Sequence, residues 1–223
     1  MSLLDGFEAR HGEATVDLPP AAQRLVAYLA LQPRPVLRIR VAGALWPEST
    51  DDKAAACLRS TLWRVGRSVG LTEATTTHVR LAPHVVVDVP GAAAHARRLV
   101  DGTAGDDELH DPSSCLNLLP DWYDDWVTIE RERLRQLGLH ALEALCLRLA
   151  TCGRYGEAVD AGMRAVAAEP LRQSAQRALI RAHQAEGNHS EAVRQYDRYR
   201  ALLLDSLGVE PMFRLEEPIG AAP

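Results

Sequence analysis

Apolar positions along the chain fall into two regimes. From 3 to 18 they alternate loosely, with Leu4, Phe7 and Ala9, then Ala14, Val16 and Leu18, around the polar run Arg10-His11-Gly12-Glu13; this predicts a short hairpin. Pro19-Pro20 then stands where proline is tolerated, at a first helical turn, and Ala21, Ala22, Leu25, Val26, Leu29 and Ala30 supply a helical apolar face. Pro33 and Pro35 stop that helix, and Ile39, Ala42, Leu45 and Trp46 mark a second, short one that Pro47 ends. After the turn Glu48-Ser49-Thr50, a third helix runs to about Val69, with Ser49 or Thr50 as its cap and Asp51 and Asp52 favouring its positive end. Leu58, Leu62, Val65 and Val69 form its core face. Beyond Gly70, Leu71–Thr75 and Val79–Ala82 flank Thr76-Thr77-His78 as a hairpin wing, and Val85–Val89 is a further β-branched run.

From Pro90 onward the strand signals vanish. The stretches 92–100, 126–150, 155–168, 171–185 and 190–207 all read helical. Gly153 recurs as Gly187, Glu157-Ala158 as Glu191-Ala192, Val159 as Val193 and Leu145 as Leu179, each pair 34 apart. That is the tetratricopeptide period, with glycine at the inter-helix turn, alanine at the crossing and a proline, here Pro170, closing the second helix. The fold class expected is therefore mainly α: a winged helix-turn-helix over 1–89, then an all-α, tetratricopeptide-like domain over 90–223.

Composition sets bounds. The 223 residues are 47% hydrophobic and 25% charged, ordinary for a globular protein. No apolar run reaches the roughly 18 residues of a membrane helix, and Met1–Gly6 has no signal-peptide pattern, so a cytoplasmic location without membrane partners is expected. Cys57, Cys115, Cys146 and Cys152 share no CxxC spacing and read as small apolar fillers; the histidines lack ligand spacing, so neither metal nor cofactor is expected. Charge is uneven. Residues 1–89 carry ten basic and nine acidic side chains, and 90–223 carry fifteen and twenty-one, giving +1 and −6. Within 34–80 the balance is eight basic against four acidic, a local excess that attracts phosphate.

Chemistry follows from placement. On the third helix Arg59, Ser60, Trp63, Arg64 and Arg67 point away from the core, and guanidinium groups on a presented helix pair with guanine edges or phosphates. Arg38, Lys53, Thr77, His78 and Arg80 complete the candidate DNA-binding set, the last three on the wing. Each has a bland alternative: Trp63 as packing, and the arginines as a solvated face. Enzyme readings find little. No phosphate loop and no HExxH occur, and Gly66-Arg67-Ser68-Val69-Gly70, formally GxSxG, closes a helix where a hydrolase elbow needs a strand leading in. In Leu118-Leu119-Pro120-Asp121-Trp122-Tyr123-Asp124-Asp125-Trp126, Asp121 reads as a helix cap and the aromatics as packing between helix pairs. No catalytic residue is expected.

These residues resemble the SARP-type transcription factors. The match rests on Pro19–Ala30, Val41–Pro47, Leu58–Arg64, Leu119–Trp126, Gly153–Ala158, Arg194–Tyr199 and Leu207–Pro211. The resemblance implies an OmpR/PhoB-like winged helix before a bacterial transcriptional activator domain, and an activator that binds direct repeats in double-stranded DNA, self-associates there and recruits RNA polymerase. It places Arg59, Ser60, Trp63, Arg64 and Arg67 at DNA-facing positions. Cys57 replaces an expected polar residue such as asparagine, and Glu216–Pro223 departs from the usual helical ending. With no nucleotide-binding segment following, the small, stand-alone form is expected. The competing reading is a protein-interaction module whose winged helix no longer binds DNA.

Overall fold

The structure, a computed structural model, describes residues 1–68 and 70–215, with the side chains of 67, 68, 114 and 116 left aside. Val69, the Arg67 side chain and the Glu216–Pro223 ending thus lie outside the described residues. The chain divides into two compact units: Met1–Ala92 with Asn117–Leu134, and Ala93–Leu116 with the chain from Arg135 on.

The first unit opens with β1 (Arg10–His11) and β2 (Ala14–Thr15), an antiparallel hairpin turned by Gly12 at φ 61°. Helix α1 (Pro20–Ala30) starts on proline, where the missing N–H has no partner to lose. Helix α2 (Arg38–Leu45) ends at Trp46, which Pro47 holds out of helical geometry at ψ 59°. Helix α3 (Asp51–Ser68) has Asp51 and Asp52 in its first turn, and the Ala54 N–H donates to the Thr50 carbonyl at 2.9 Å. Strands β3 (Val36–Leu37), β4 (Thr72–Ala74) and β5 (His78–Leu81) form one antiparallel sheet in the order β3-β5-β4. Its register pairs Val36 with Val79 and Glu73 with Arg80. Helices α1 to α3 close over that sheet through Leu25, Val26, Leu29, Val41, Leu45, Leu58, Val65 and Val79, all buried. Each such side chain stabilises the unit by about 1.5–3 kcal/mol relative to exposure.

Two local expectations need correction. Val85–Val89 is not a strand, because α4 (Asp88–Val100) begins inside it. Asp88 is recruited from afar: its carboxylate accepts the Leu3 and Leu4 N–H groups at 3.0 Å and the Ser2 hydroxyl at 2.6 Å. The second concerns 118–126. Asp121 caps nothing, since α5 (Asp125–Thr151) starts later, with the Val127 and Thr128 N–H groups on the Asp124 carbonyl. Trp122 stacks on Phe7 at 5.8 Å, and Trp126 meets Tyr28 edge-on at 5.3 Å, so these aromatics extend the core of the first unit. Arg131 fixes their loop by donating from Nε to the Leu118 carbonyl and from Nη2 to the Leu119 and Trp122 carbonyls.

The second unit follows the period. Helices α6 (Tyr155–Ala168), α7 (Gln173–Glu186) and α8 (His189–Leu207) stand within about two residues of the expected bounds. Gly153 and Gly187 play the same part 34 apart, both left-handed at φ 74° and 85°, where a side chain would strain the turn. A Cβ at Gly162 would stand 3.1 Å from Cys146 Sγ and the Leu179 Cα, a tight approach that a larger residue could make only if α7 shifted by a few tenths of an ångström. Cys115 and Cys146 are the small buried fillers expected, whereas Cys57 and Cys152 are exposed free thiols. No described helix is long and apolar enough to cross a membrane.

Candidate nucleic-acid interface

The faces of α3 follow from where its buried residues fall. Ala54, Leu58, Thr61 and Val65 are buried at helical spacing, while Leu62 is only partly so. Thr61 joins the core face because its hydroxyl donates to the Cys57 carbonyl at 2.8 Å, which satisfies it inside the helix. At about 100° per residue, Arg59 and Trp63 then form an exposed stripe opposite the core, and Lys53, Cys57, Ser60 and Arg64 form another along its flank. Trp63 is 62% exposed. Among the described residues Lys53, Arg59 and Arg64 hold no carboxylate. Their charges are therefore turned outward.

The wing carries its charges differently. Glu73 and Arg80 are cross-strand partners, and Arg80 donates from Nε at 2.8 Å and Nη2 at 2.5 Å to one carboxylate oxygen. Arg38 donates from Nη1 to the Thr75 carbonyl at 3.1 Å and from its backbone N–H to the Thr77 carbonyl, so it braces the wing turn. Inside that turn the Thr75 hydroxyl accepts the His78 N–H at 3.0 Å, and the Thr77 hydroxyl meets His78 Nδ1 at 2.9 Å.

Two grooves gather these residues. One, of about 550 Å3, brings Arg38 and Ile39 of α2, Asp51, Asp52 and Arg59 of α3, and Thr76 of the wing together. The other, of about 640 Å3, is lined by Arg34, Glu73, Thr75, His78 and Arg80. Neither includes Lys53, Ser60, Trp63 or Arg64, which remain on the open face of α3. Sequence reasoning passed over Arg34, Thr76 and Ile39. Arg34 counted only toward the local charge because it stands between two prolines, Thr76 only as part of the wing tip, and Ile39 was read as core although it is 70% exposed. Among the described residues no group of three histidine, cysteine or carboxylate side chains could hold a metal ion.

The fold has counterparts among known proteins. The model of the bacterial transcriptional activator domain matches residues 93–219, more than half of the chain. The chain belongs to this family. Its SARP-type resemblance is borne out by the regulatory protein AfsR of Streptomyces coelicolor, 27% identical over 221 residues and matching 93% of this chain. A solved structure of Mycobacterium tuberculosis EmbR in complex with a low-affinity phosphopeptide shares the fold, with a TM-score of 0.73 over 94% of this chain at 21% identity. This member of the bacterial transcriptional activator domain family spans 22% of AfsR and 61% of that EmbR chain. The architecture is mainly helical, a winged helix-turn-helix with a tetratricopeptide-like helical part, and its bacterial transcriptional activator domain is that of a transcription regulator.

Proposed function

We propose that this regulator binds double-stranded DNA by laying α3 in the major groove and setting its wing on the flanking backbone. The observation that carries this reading is the outward stripe Lys53, Ser60 and Arg64 with Arg59 beside it, cationic and unneutralised on the long third helix of a winged helix-turn-helix. Guanidinium groups there are suited to guanine edges and phosphates, and Ser60 to either. The wing contributes Thr77 and His78 at the turn, while Arg80 approaches phosphate already held by Glu73. Residues 1–89 form the DNA-reading part in this proposal and 90–223 the assembly and activation part, with Asn117–Leu134 completing the core of the first unit.

Activation then proceeds through RNA polymerase recruited to the promoter, with two copies side by side on direct repeats. A single reader of this size binds too weakly to select its site, and pairing supplies the rest. Asp51 and Asp52, in the groove with Arg38 and Arg59, favour the rival reading of a protein-interaction module.

Binding-site selection from random DNA, followed by titration against salt, tests the proposal. A DNA reader that neutralises several phosphates loses affinity steeply as salt rises, and yields a repeated half-site spaced by about one helical turn. Inserting roughly half a turn, about five base pairs, between half-sites should remove cooperative binding by rotating one copy to the opposite face. No enrichment of any sequence and no salt-dependent binding would overturn the proposal in favour of the interaction module.

A further inference from the structure

An exposed isoleucine stands between the two elements that the DNA reading uses, the third helix and the wing. Val41, Ala42 and Leu45 turn α2 into the core and leave Ile39, in its first turn, 70% exposed. A single apolar side chain at a surface is ordinary, but this one walls a groove. The groove is the one of about 550 Å3 that runs between α2, the first two turns of α3 and Thr76 of the wing. Its lining is largely apolar: Ala42, Ala54 and Leu58 are buried beneath it, and Ala55 is half-buried beside them. Gly43 leaves room on the α2 side, since a Cβ there would meet nothing within 4 Å. The isoleucine wall is also fixed in place. Its neighbour Arg38 donates from Nη1 to the Thr75 carbonyl at 3.1 Å and from its backbone N–H to the Thr77 carbonyl at 2.8 Å, which ties the start of α2 to the wing turn.

Charge decides which part of a duplex can enter. Asp51 and Asp52 line the groove and repel phosphate, while Arg59 lines it and belongs also to the stripe of α3 opposite the core. With α3 in the major groove, a base edge therefore fits here and the sugar-phosphate backbone does not. The bases offer polar edges there, and the C5 methyl of thymine is the one apolar group among them. We infer, on the reading of α3 as the DNA-recognition helix, that this groove selects a thymine, whose C5 methyl rests against Ile39 and Ala55. Ile39 is then a specificity-determining residue supplied by the second helix, in addition to the basic side chains of the third.

Fluorescence anisotropy of the full chain tests this with labelled duplexes that carry the half-site enriched from random DNA, each thymine being replaced in turn by deoxyuridine. That exchange removes the methyl group and keeps the base pair. At one thymine it should weaken binding about fourfold, the equivalent of one methyl group buried on an apolar wall. Ile39→Ala should weaken binding of the thymine duplex to a similar degree and then bind thymine and deoxyuridine at that position alike, whereas Ile39→Val should keep most of the preference. Because Ile39 is exposed, both variants should melt like the parent. Indifference of the parent to every such exchange, or full discrimination surviving in Ile39→Ala, would overturn the inference and leave DNA binding in place. An enriched half-site without a fixed thymine would do the same. Absence of any DNA binding would instead overturn the DNA reading and this inference together.

Discussion

On α3, Lys53, Arg59 and Arg64 are exposed and hold no carboxylate among the described residues, whereas in the helical unit Arg98, Arg148, Arg154, Arg164, Arg172 and Arg200 each grip one. The two regions use the same side chain for different ends. In the helical unit the ion pairs join successive helices and loops: Arg172 reaches from the start of α7 to Glu143 of α5 at 2.5 Å, with Ser174 on the same carboxylate at 2.8 Å. At the surface these pairs hold the Glu108, Glu157 and Glu210 carboxyls below the usual carboxylate range, chiefly through hydrogen bonds from Arg98, Arg154 and Arg200. A depressed carboxyl stabilises the fold fully above its unfolded titration and loses that contribution as pH falls through its folded value. Among the described residues no carboxylate neutralises Lys53, Arg59 or Arg64 on α3, so their field extends outward to an anionic partner.

The contrast breaks first if α3 is shown to matter only as packing. Leu58→Ala should destabilise the first unit by about 2–5 kcal/mol and remove DNA binding through unfolding. Leu62→Ala should cost less, because Leu62 is only partly buried. Urea or thermal melting reads both, and equal effects would reverse the assignment of faces.

Next in size is Arg131→Ala, which strips three backbone carbonyls of their charged donor. A loss of roughly 2–4 kcal/mol is expected, with a change in tryptophan fluorescence as Trp122 and Trp126 loosen. A fragment ending at residue 89 loses the same support altogether, so it should melt well below the full chain. A fragment as stable as the whole would show that Asn117–Leu134 adds nothing.

Contact residues should behave oppositely. Arg59→Ala and Arg64→Ala should each weaken specific DNA binding by about 1–3 kcal/mol if they read base edges, with melting unchanged. A phosphate contact would instead weaken binding to every sequence alike and flatten the salt dependence. Loss in neither variant would remove α3 from the interface. The smallest effect is reserved for Arg80→Ala: an exposed cross-strand pair with Glu73 contributes about 0–1 kcal/mol to stability, and a smaller loss in DNA affinity than at Arg64 should follow. A larger loss at Arg80 than at Arg64 would make the wing the principal contact.

Much of the fold was legible because its signals are local. Prolines bound α1 and α2, glycines turn the helical repeat, and the 34-residue period aligns Gly153 with Gly187. What escaped depends on partners distant in sequence. Asp88 starts α4 within a β-branched run while holding the N-terminal backbone, and Trp122 and Trp126 find Phe7 and Tyr28 about a hundred positions away. Thr61 was missed for another reason: a hydroxyl satisfied within its own helix behaves as a core residue, which hydropathy alone does not register. At the candidate site the exposed α3 residues were foreseeable from periodicity. The engagement of Arg38 and Arg80 was not, because it depends on strand register.

Thiol chemistry gives the most direct measurement of the central claim. Cys57 is exposed on α3 in the stripe with Lys53, Ser60 and Arg64, and Cys152 is exposed on the helical unit. Cys115 and Cys146 are buried, and burial pushes the Cys146 thiol up to about 12, so it stays protonated and inert near neutral pH. Alkylation of the folded chain near pH 8 should therefore mark Cys57 and Cys152 alone, read by mass spectrometry of the digested protein. Adding duplex DNA that carries the selected site should protect Cys57 strongly and leave the Cys152 rate unchanged. An unaltered Cys57 rate at saturating DNA would contradict the placement of α3 in the groove.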